Sequence, residues 1–342
     1  MDKRVTIKDI AEEAGVSISS VHQALHGKSG VSEATRNKIM QLAEEMNYRP
    51  NVLASSLKSE PRSVAVILPA ADIGSRYYFQ KMWEAVDDYE ATAADYNITL
   101  VRFTCDSKDG AMKYFDPEDY SGVVSVGLRE YFQESDFERV SNPGIPVVLV
   151  DNDSLGFERL CCVQADAHVV GRVTAELLLD MVHRLDGKII VSGVGPSYEN
   201  RRLTEGAVSE YFEEEGLADK LLFLNFDHDD EECQQEVEKA IRDNRIAGAC
   251  AVNSRSTAVL GKAIRNTGRA GAFPFIGSGL FEESRKFLHD NVITALVDKK
   301  PYDQCRTALK TMTDYLVKNE QPAQHTKATR LDVIFRSTVD QY

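Results

Sequence analysis

The chain has 342 residues, 43% of them hydrophobic, which is enough for more than one domain and a sizeable buried core. No apolar run of about 18 residues occurs and the first residues are charged, which argues against a membrane span or a secretory signal and predicts a cytoplasmic protein. The net charge of −14 argues against a uniformly basic nucleic-acid binder, but residues 1–62 carry nine Lys/Arg and eight Asp/Glu, so +1 falls on this segment and −15 on the rest.

Thr6 is placed to cap a helix whose apolar residues Ile7, Ile10, Ala11 and Ala14 recur at three- and four-residue spacing, with Asp9 in the first turn. Gly15 supplies a left-handed stop. Ser17 caps a second helix with Val21, Ala24 and Leu25 inward and Ile18, Ser19, His22, Gln23 and His26 outward. Ser32 opens a third, with Ile39, Leu42, Ala43 and Met46 inward. Such short helices are marginal alone and must pack on one another. The pattern is a helix-turn-helix, set against the plainer reading of a helical cap on a larger globule.

Pro50 fixes the chain after the third helix, and Asn51 to Leu57 is helix-prone without a large core face. Such a segment orders only when something orders it, and Ser59-Glu60-Pro61-Arg62 reads equally as a plain linker.

From Ser63 the texture changes. Apolar runs at Val64 to Leu68, Ile98 to Phe103, Gly122 to Val126, Ile145 to Val150, Lys188 to Val194, Leu221 to Leu224 and Ala249 to Val252 read as strands. Helical patterns alternate with them at Phe79 to Asp95, Val169 to Val182 and Glu232 to Arg242. Strands buried on both faces and separated by helices imply parallel α/β sheets, whose ligands sit beyond the strands' carboxyl ends.

An enzyme finds little support. No G-x-S-x-G, Walker A or H-E-x-x-H pattern occurs, and Gly193-Val194-Gly195 lacks the third glycine of a dinucleotide fingerprint. Asp227-His228-Asp229-Asp230-Glu231-Glu232-Cys233 fits an acidic helix start better than a metal site. Six scattered cysteines, with Cys161 and Cys162 adjacent, suggest reduced thiols. No cofactor, metal or catalytic residue is expected.

The first segment resembles the LacI/GalR (lactose-repressor) family of bacterial regulators. The run Thr6-Ile7-Lys8-Asp9-Ile10-Ala11 with Ala14-Gly15-Val16-Ser17 carries the likeness, followed in register by Val31 to Arg36, Asn47 to Asn51 and Leu53 to Leu57. That resemblance implies a sequence-specific DNA-binding regulator, a repressor in the first instance, acting as a homodimer on a palindromic double-stranded operator. An activator, or a ligand-binding module without operator function, stays open as the alternative.

By the same resemblance, Ile18, Ser19 and Gln23 read bases, while Thr6, Ser17, Ser20, Ser32, Thr35 and Asn51 contact phosphate. His22 and His26 stand where the family usually has Ser and Asn, and face solvent or touch phosphate. Gln23 replaces an arginine. Because arginine prefers guanine whereas glutamine pairs with adenine, the operator is expected to differ at that base. Residues 51–62 become a hinge helix on DNA, with Leu57 beside Ala54 wedged into the minor groove.

The body, residues 63–342, resembles the type I periplasmic sugar-binding fold used by that family. The likeness rests on Val163 to Asp166, Gly171, Ala175, Leu178 and Ala295 to Tyr302. It implies an N-lobe of about 63–161 plus 296–328 and a C-lobe of about 162–295 plus 329–342, with crossings near Leu160, Val292 and Leu331. The stretch from Asp106 to Gly122 barely leaves room for the helix usual there.

Tyr77, Tyr78, Phe79, Asp151, Arg202, Asn253, Gly279 and Lys299 fall at the effector positions between the lobes. Ser254 and Gly279 stand where the fold usually has carboxylates, and the arginine helix carries an extra residue before Gly206. Sugar, sugar phosphate and related metabolites therefore all stay open as effectors.

Overall fold

The computed structural model describes residues 5–25, 29–46, 48, 60–71, 76–105, 111–127, 131–141, 144–153, 158–182, 186–195 and 199–342. They fall into two compact units, Met1–Glu60 and Pro61–Tyr342.

The first unit holds α1 (Ile7–Ala14), α2 (Ile18–Leu25) and α3 (Glu33–Glu45). Thr6 caps α1 reciprocally: the Asp9 N–H donates to its hydroxyl, and its own N–H donates to the Asp9 carboxylate at 2.7 Å. Gly15 ends α1 with φ +68°; open space surrounds it, so conformation rather than crowding requires glycine. Ile10, Ala11, Ala14, Val21, Ala24, Ile39 and Ala43 form the core, with Ile7, Leu25, Leu42 and Met46 packed around it.

The second unit contains two six-stranded sheets. The N-lobe sheet comprises β1 (Arg62–Leu68), β2 (Ile98–Thr104), β3 (Gly122–Val126), β4 (Val147–Val150), β5 (Cys161–Gln164) and β11 (Thr326–Ala328). Their order is β11-β5-β4-β3-β1-β2, all parallel. The C-lobe sheet comprises β6 (Lys188–Val194), β7 (Leu221–Phe226), β8 (Ile246–Ala251), β9 (Phe275–Ser278), β10 (Ala295–Asp298) and β12 (Asp332–Phe335). Its order is β12-β10-β9-β8-β6-β7, with only β12 antiparallel.

Helices α4 (Arg76–Asp95), α5 (Glu134–Ser141) and α11 (Pro301–Lys318) serve the N-lobe, and α6 (Ala167–Met181), α7 (Glu199–Glu214), α8 (Glu231–Asp243), α9 (Ser254–Asn266) and α10 (Glu282–His289) the C-lobe. β3 and β4 are buried throughout because helices cover both faces, which is why their sequences read as unbroken apolar runs.

Three sequence expectations are corrected. β5 pairs with β4 and β11, so the chain leaves the N-lobe after Gln164 rather than near Leu160. β10 pairs with β9 and β12, so the second crossing lies at Lys299–Lys300 rather than near Val292. Both strands are short and apolar, and only their sheet partners reveal which lobe they complete. β8 starts at Ile246, ahead of the expected Ala249. Between 111 and 121 the described residues form two 3-10 turns, Ala111–Tyr114 and Pro117–Asp119.

α6 and α7 approach closely at Gly171, where an added Cβ would lie 2.4 Å from the Thr204 carbonyl and 2.7 Å from the Ala207 Cβ. That close approach fixes both helices over the C-lobe sheet and places the start of α7 beside the lobe boundary.

Candidate nucleic-acid interface and interlobe cleft

On α2, Val21 and Ala24 face the core, so the helical period turns Ile18, Ser19 and His22 outward. Ile18 is 49% exposed, so its side chain is accessible to an apolar partner such as a thymine methyl. Gln23 is half-buried and its amide lies against Gly30, where an added Cβ would sit 2.9 Å from the amide oxygen.

The hydroxyls expected at phosphate gather at helix N-termini. Ser17 accepts from the Ser20 N–H at 3.1 Å and meets its hydroxyl at 2.9 Å; Ser32 and Thr35 repeat the arrangement at the start of α3. Thr6, Ser17 and Ser32 are exposed, and helix N-termini favour anions. His26, Asn51, Ala54 and Leu57 lie outside the described residues.

Two cations that sequence reading left unassigned reach across to neighbouring helices. Arg36 donates to the carbonyls of Gln23 and Ala24, and Lys38 to that of Ala14 at 2.9 Å. They satisfy the carboxyl ends of α2 and α1. Their partners lie on other helices, so no local pattern in the sequence signals these roles.

In the body, the cleft residues come from strand ends. The Tyr78 hydroxyl donates to Asp151 Oδ1 at 2.6 Å, and Asn152 Nδ2 donates to Asp151 Oδ2 at 2.6 Å. Asp151 is buried at the end of β4 with φ +72°, a costly conformation for a residue with a Cβ. Burial, then the Asp151 charge, push the Tyr78 hydroxyl well above its usual range. Lys299 holds its ammonium 4.8 Å from the Tyr78 ring centroid. Gln304 Nε2 donates to the Tyr78 hydroxyl at 3.2 Å and to the Lys299 carbonyl at 2.6 Å, tying the second crossing to α4.

Asn152 Oδ1 and Gln304 Oε1 are buried without a hydrogen-bond partner among the described residues, so two acceptors remain beside this network. From the C-lobe, Asn200 Nδ2 reaches the Asp151 carbonyl at 2.7 Å. Asn253 caps α9, accepting from the Ser256 N–H at 2.8 Å and donating to the Val194 carbonyl at 2.8 Å. Gly279, with φ +84°, lets Ser254 approach: an added Cβ would lie 2.3 Å from its Oγ.

The structure thus brings Tyr78, Asp151 and Lys299 together, with Asn253 and Gly279 on neighbouring strand ends of the C-lobe. One expected effector position is corrected. Phe79 is buried in the N-lobe core, edge-on to Tyr131 at 5.3 Å, because the helical turn swings it away from Tyr78. Arg202 is exposed on α7, whereas Arg201 is buried, paired with Glu205 at 2.8 Å and donating to the Gly195 carbonyl. Tyr77 instead meets Phe281 across the lobes, with ring centroids 4.5 Å apart. Sequence reading missed Asn200, Phe281 and Gln304, whose roles depend on the lobes facing one another.

The acidic run resolves as a helix start: Asp230 caps α8 by accepting from the Cys233 N–H at 2.9 Å. No His/Cys/Asp/Glu cluster suited to a metal occurs among the described residues. Within the same set, no helix is long and apolar enough to cross a membrane.

Comparison with known proteins agrees with this architecture. Residues 6–51 match the family described as bacterial regulatory proteins, lacI family, and residues 64–320 match the periplasmic binding protein domain. Catabolite control protein A of Streptococcus mutans is 26% identical over 227 residues, 61% of this chain and 66% of that protein. The probable HTH-type transcriptional repressor ExuR of Bacillus subtilis is 31% identical over 151 residues, 44% of each chain. The chain therefore spans less than two thirds of either relative's length. A putative LacI transcriptional regulator from Bacteroides fragilis superposes with a TM-score of 0.68 at 18% identity, over 83% of this chain and 100% of that one, a likeness of fold. With its helix-turn-helix head and two-lobed parallel α/β body, the chain belongs to the lacI family of bacterial regulatory proteins.

Proposed function

We propose that the protein is a cytoplasmic, homodimeric transcriptional repressor that binds a palindromic operator and responds to a small molecule held between its lobes. The observation that carries this reading is α2, capped by Ser17 and anchored by Val21 and Ala24, presenting exposed Ile18, Ser19 and His22 on one face. A major groove accepts such a helix, and a dimer places two of them on symmetric half-sites. The hinge segment supplies the second DNA contact, with Ala54 and Leu57 at the minor groove.

The body acts on DNA affinity through differential effector binding to two lobe arrangements. Its site is the Tyr78–Asp151–Lys299 network with the free acceptors of Asn152 and Gln304. A polar metabolite carrying hydroxyl or amide donors suits it.

The test is selection of bound sequences from random duplex DNA by the purified full chain, with and without a metabolite panel, at two salt concentrations. A palindromic winner whose recovery changes with one metabolite supports the reading. Absence of enrichment under every condition refutes operator binding.

A further inference from the structure

Tyr77, Tyr78 and Phe79 are consecutive on α4 and therefore point in three directions, about 100° apart. Phe79 enters the N-lobe core and Tyr78 joins Asp151. Tyr77 turns the third way, out of its own lobe, and is only 7% exposed because the C-lobe covers it. Its ring packs on Phe281 at 4.5 Å with a 43° tilt, and with Ala258 of α9 the pair forms an apolar cluster separate from the lobe cores.

The cluster is a seam rather than part of a core. Tyr77 and Phe281 themselves wall a cavity of about 370 Å³ whose other walls include the charged Lys81, Glu84, Glu282 and Lys286. The Tyr77 hydroxyl reaches Glu283 at 3.5 Å, and the Asn200–Asp151 bond adds a polar clasp between the same lobes. The contacts that a bound molecule ordinarily supplies between two lobes are made here by the chain's own side chains.

We propose that Tyr77, Ala258 and Phe281 form a latch that keeps the cleft closed in the absence of ligand, so that an effector acts by opening it. A molecule that favours the closed arrangement cannot shift an equilibrium already lying there; one that changes DNA affinity through lobe geometry must favour the open form. This consequence rests on the regulator reading, while the latch itself does not.

The experiment measures lobe separation in the ligand-free full chain. Spin labels go on Glu138→Cys in the N-lobe and Lys239→Cys in the C-lobe, both exposed, in protein diluted with unlabelled chains. The native cysteines are all buried and need no replacement. The otherwise unsubstituted chain should give one short-distance population. Phe281→Ala removes a latch ring and Ala258→Leu wedges the seam without leaving a void. Each should shift the closed-to-open ratio about tenfold toward a longer distance, whereas Tyr77→Phe should not.

Melting curves identify any variant that fails to fold, in which case the other decides. A long-distance population already dominant without substitution, or distances unchanged in every folded variant, overturns the latch. Operator selection run on the same unsubstituted chain separates the two ideas: enrichment with unmoved distances sinks only the latch, and moved distances without enrichment sink only the regulator.

Discussion

The Tyr78 hydroxyl and the Asp151 carboxylate meet at 2.6 Å, joining the first turn of α4 to the end of β4 at a residue held in a left-handed conformation. Tyr78→Phe leaves the buried carboxylate with Asn152 as its remaining side-chain hydrogen-bond partner among the described residues and should cost about 1–3 kcal/mol. The same variant should lose response to any metabolite found in the operator assay. Thermal unfolding and effector titration check the two effects separately, and an unchanged response would remove Tyr78 from the site.

Gln23→Ala should relax discrimination at one symmetric base position, by about 1–3 kcal/mol, if the amide leaves Gly30 to read a base. Selected sequences from the variant and the unsubstituted protein provide the comparison. An identical preference would confine Gln23 to packing against Gly30.

Ser32 caps α3 and forms a hydroxyl pair with Thr35. Ser32→Ala should destabilise the head by about 1 kcal/mol. If Ser32 also contacts phosphate, DNA affinity measured well below the melting temperature falls as well, and the salt dependence of binding distinguishes a lost contact from a frayed helix.

Gly171 and Gly206 lie on facing helices and should respond oppositely to alanine. At Gly171 the new Cβ overlaps the α7 backbone, an overpacking worth about 1–3 kcal/mol. At Gly206 nothing lies within 4 Å, and relief of glycine's helix penalty should stabilise by up to about 1 kcal/mol. Chemical denaturation of the pair tests the packing directly.

The six cysteines are buried, and burial pushes the thiols of Cys233, Cys250 and Cys305 up to about 12. Raised values keep the thiolate, the reactive species, scarce, so modification of native protein should be slow at pH 7 and remain far slower than that of an ordinary exposed thiol at pH about 8. Denatured protein should release all six to the same thiol reagent. Rapid reaction of a native thiol would contradict the packing around it.

The head was legible because its determinants are local. A cap, a left-handed glycine and apolar residues at helical spacing lie within a few positions of one another, and Thr6, Asp9 and Gly15 adopt the roles their spacing dictates. The apolar runs also announced the parallel sheets, since a strand covered on both faces has no polar alternation. What required tertiary structure was every relation between distant segments. β5 and β10 belong to lobes assigned only by hydrogen bonding to their neighbours. Arg201 rather than its neighbour Arg202 is buried, a choice between adjacent positions made by the face of α7 that packs inward. Phe281 meets Tyr77 across some two hundred residues of chain, a contact set by how two rigid sheets face one another and not by the sequence around either ring.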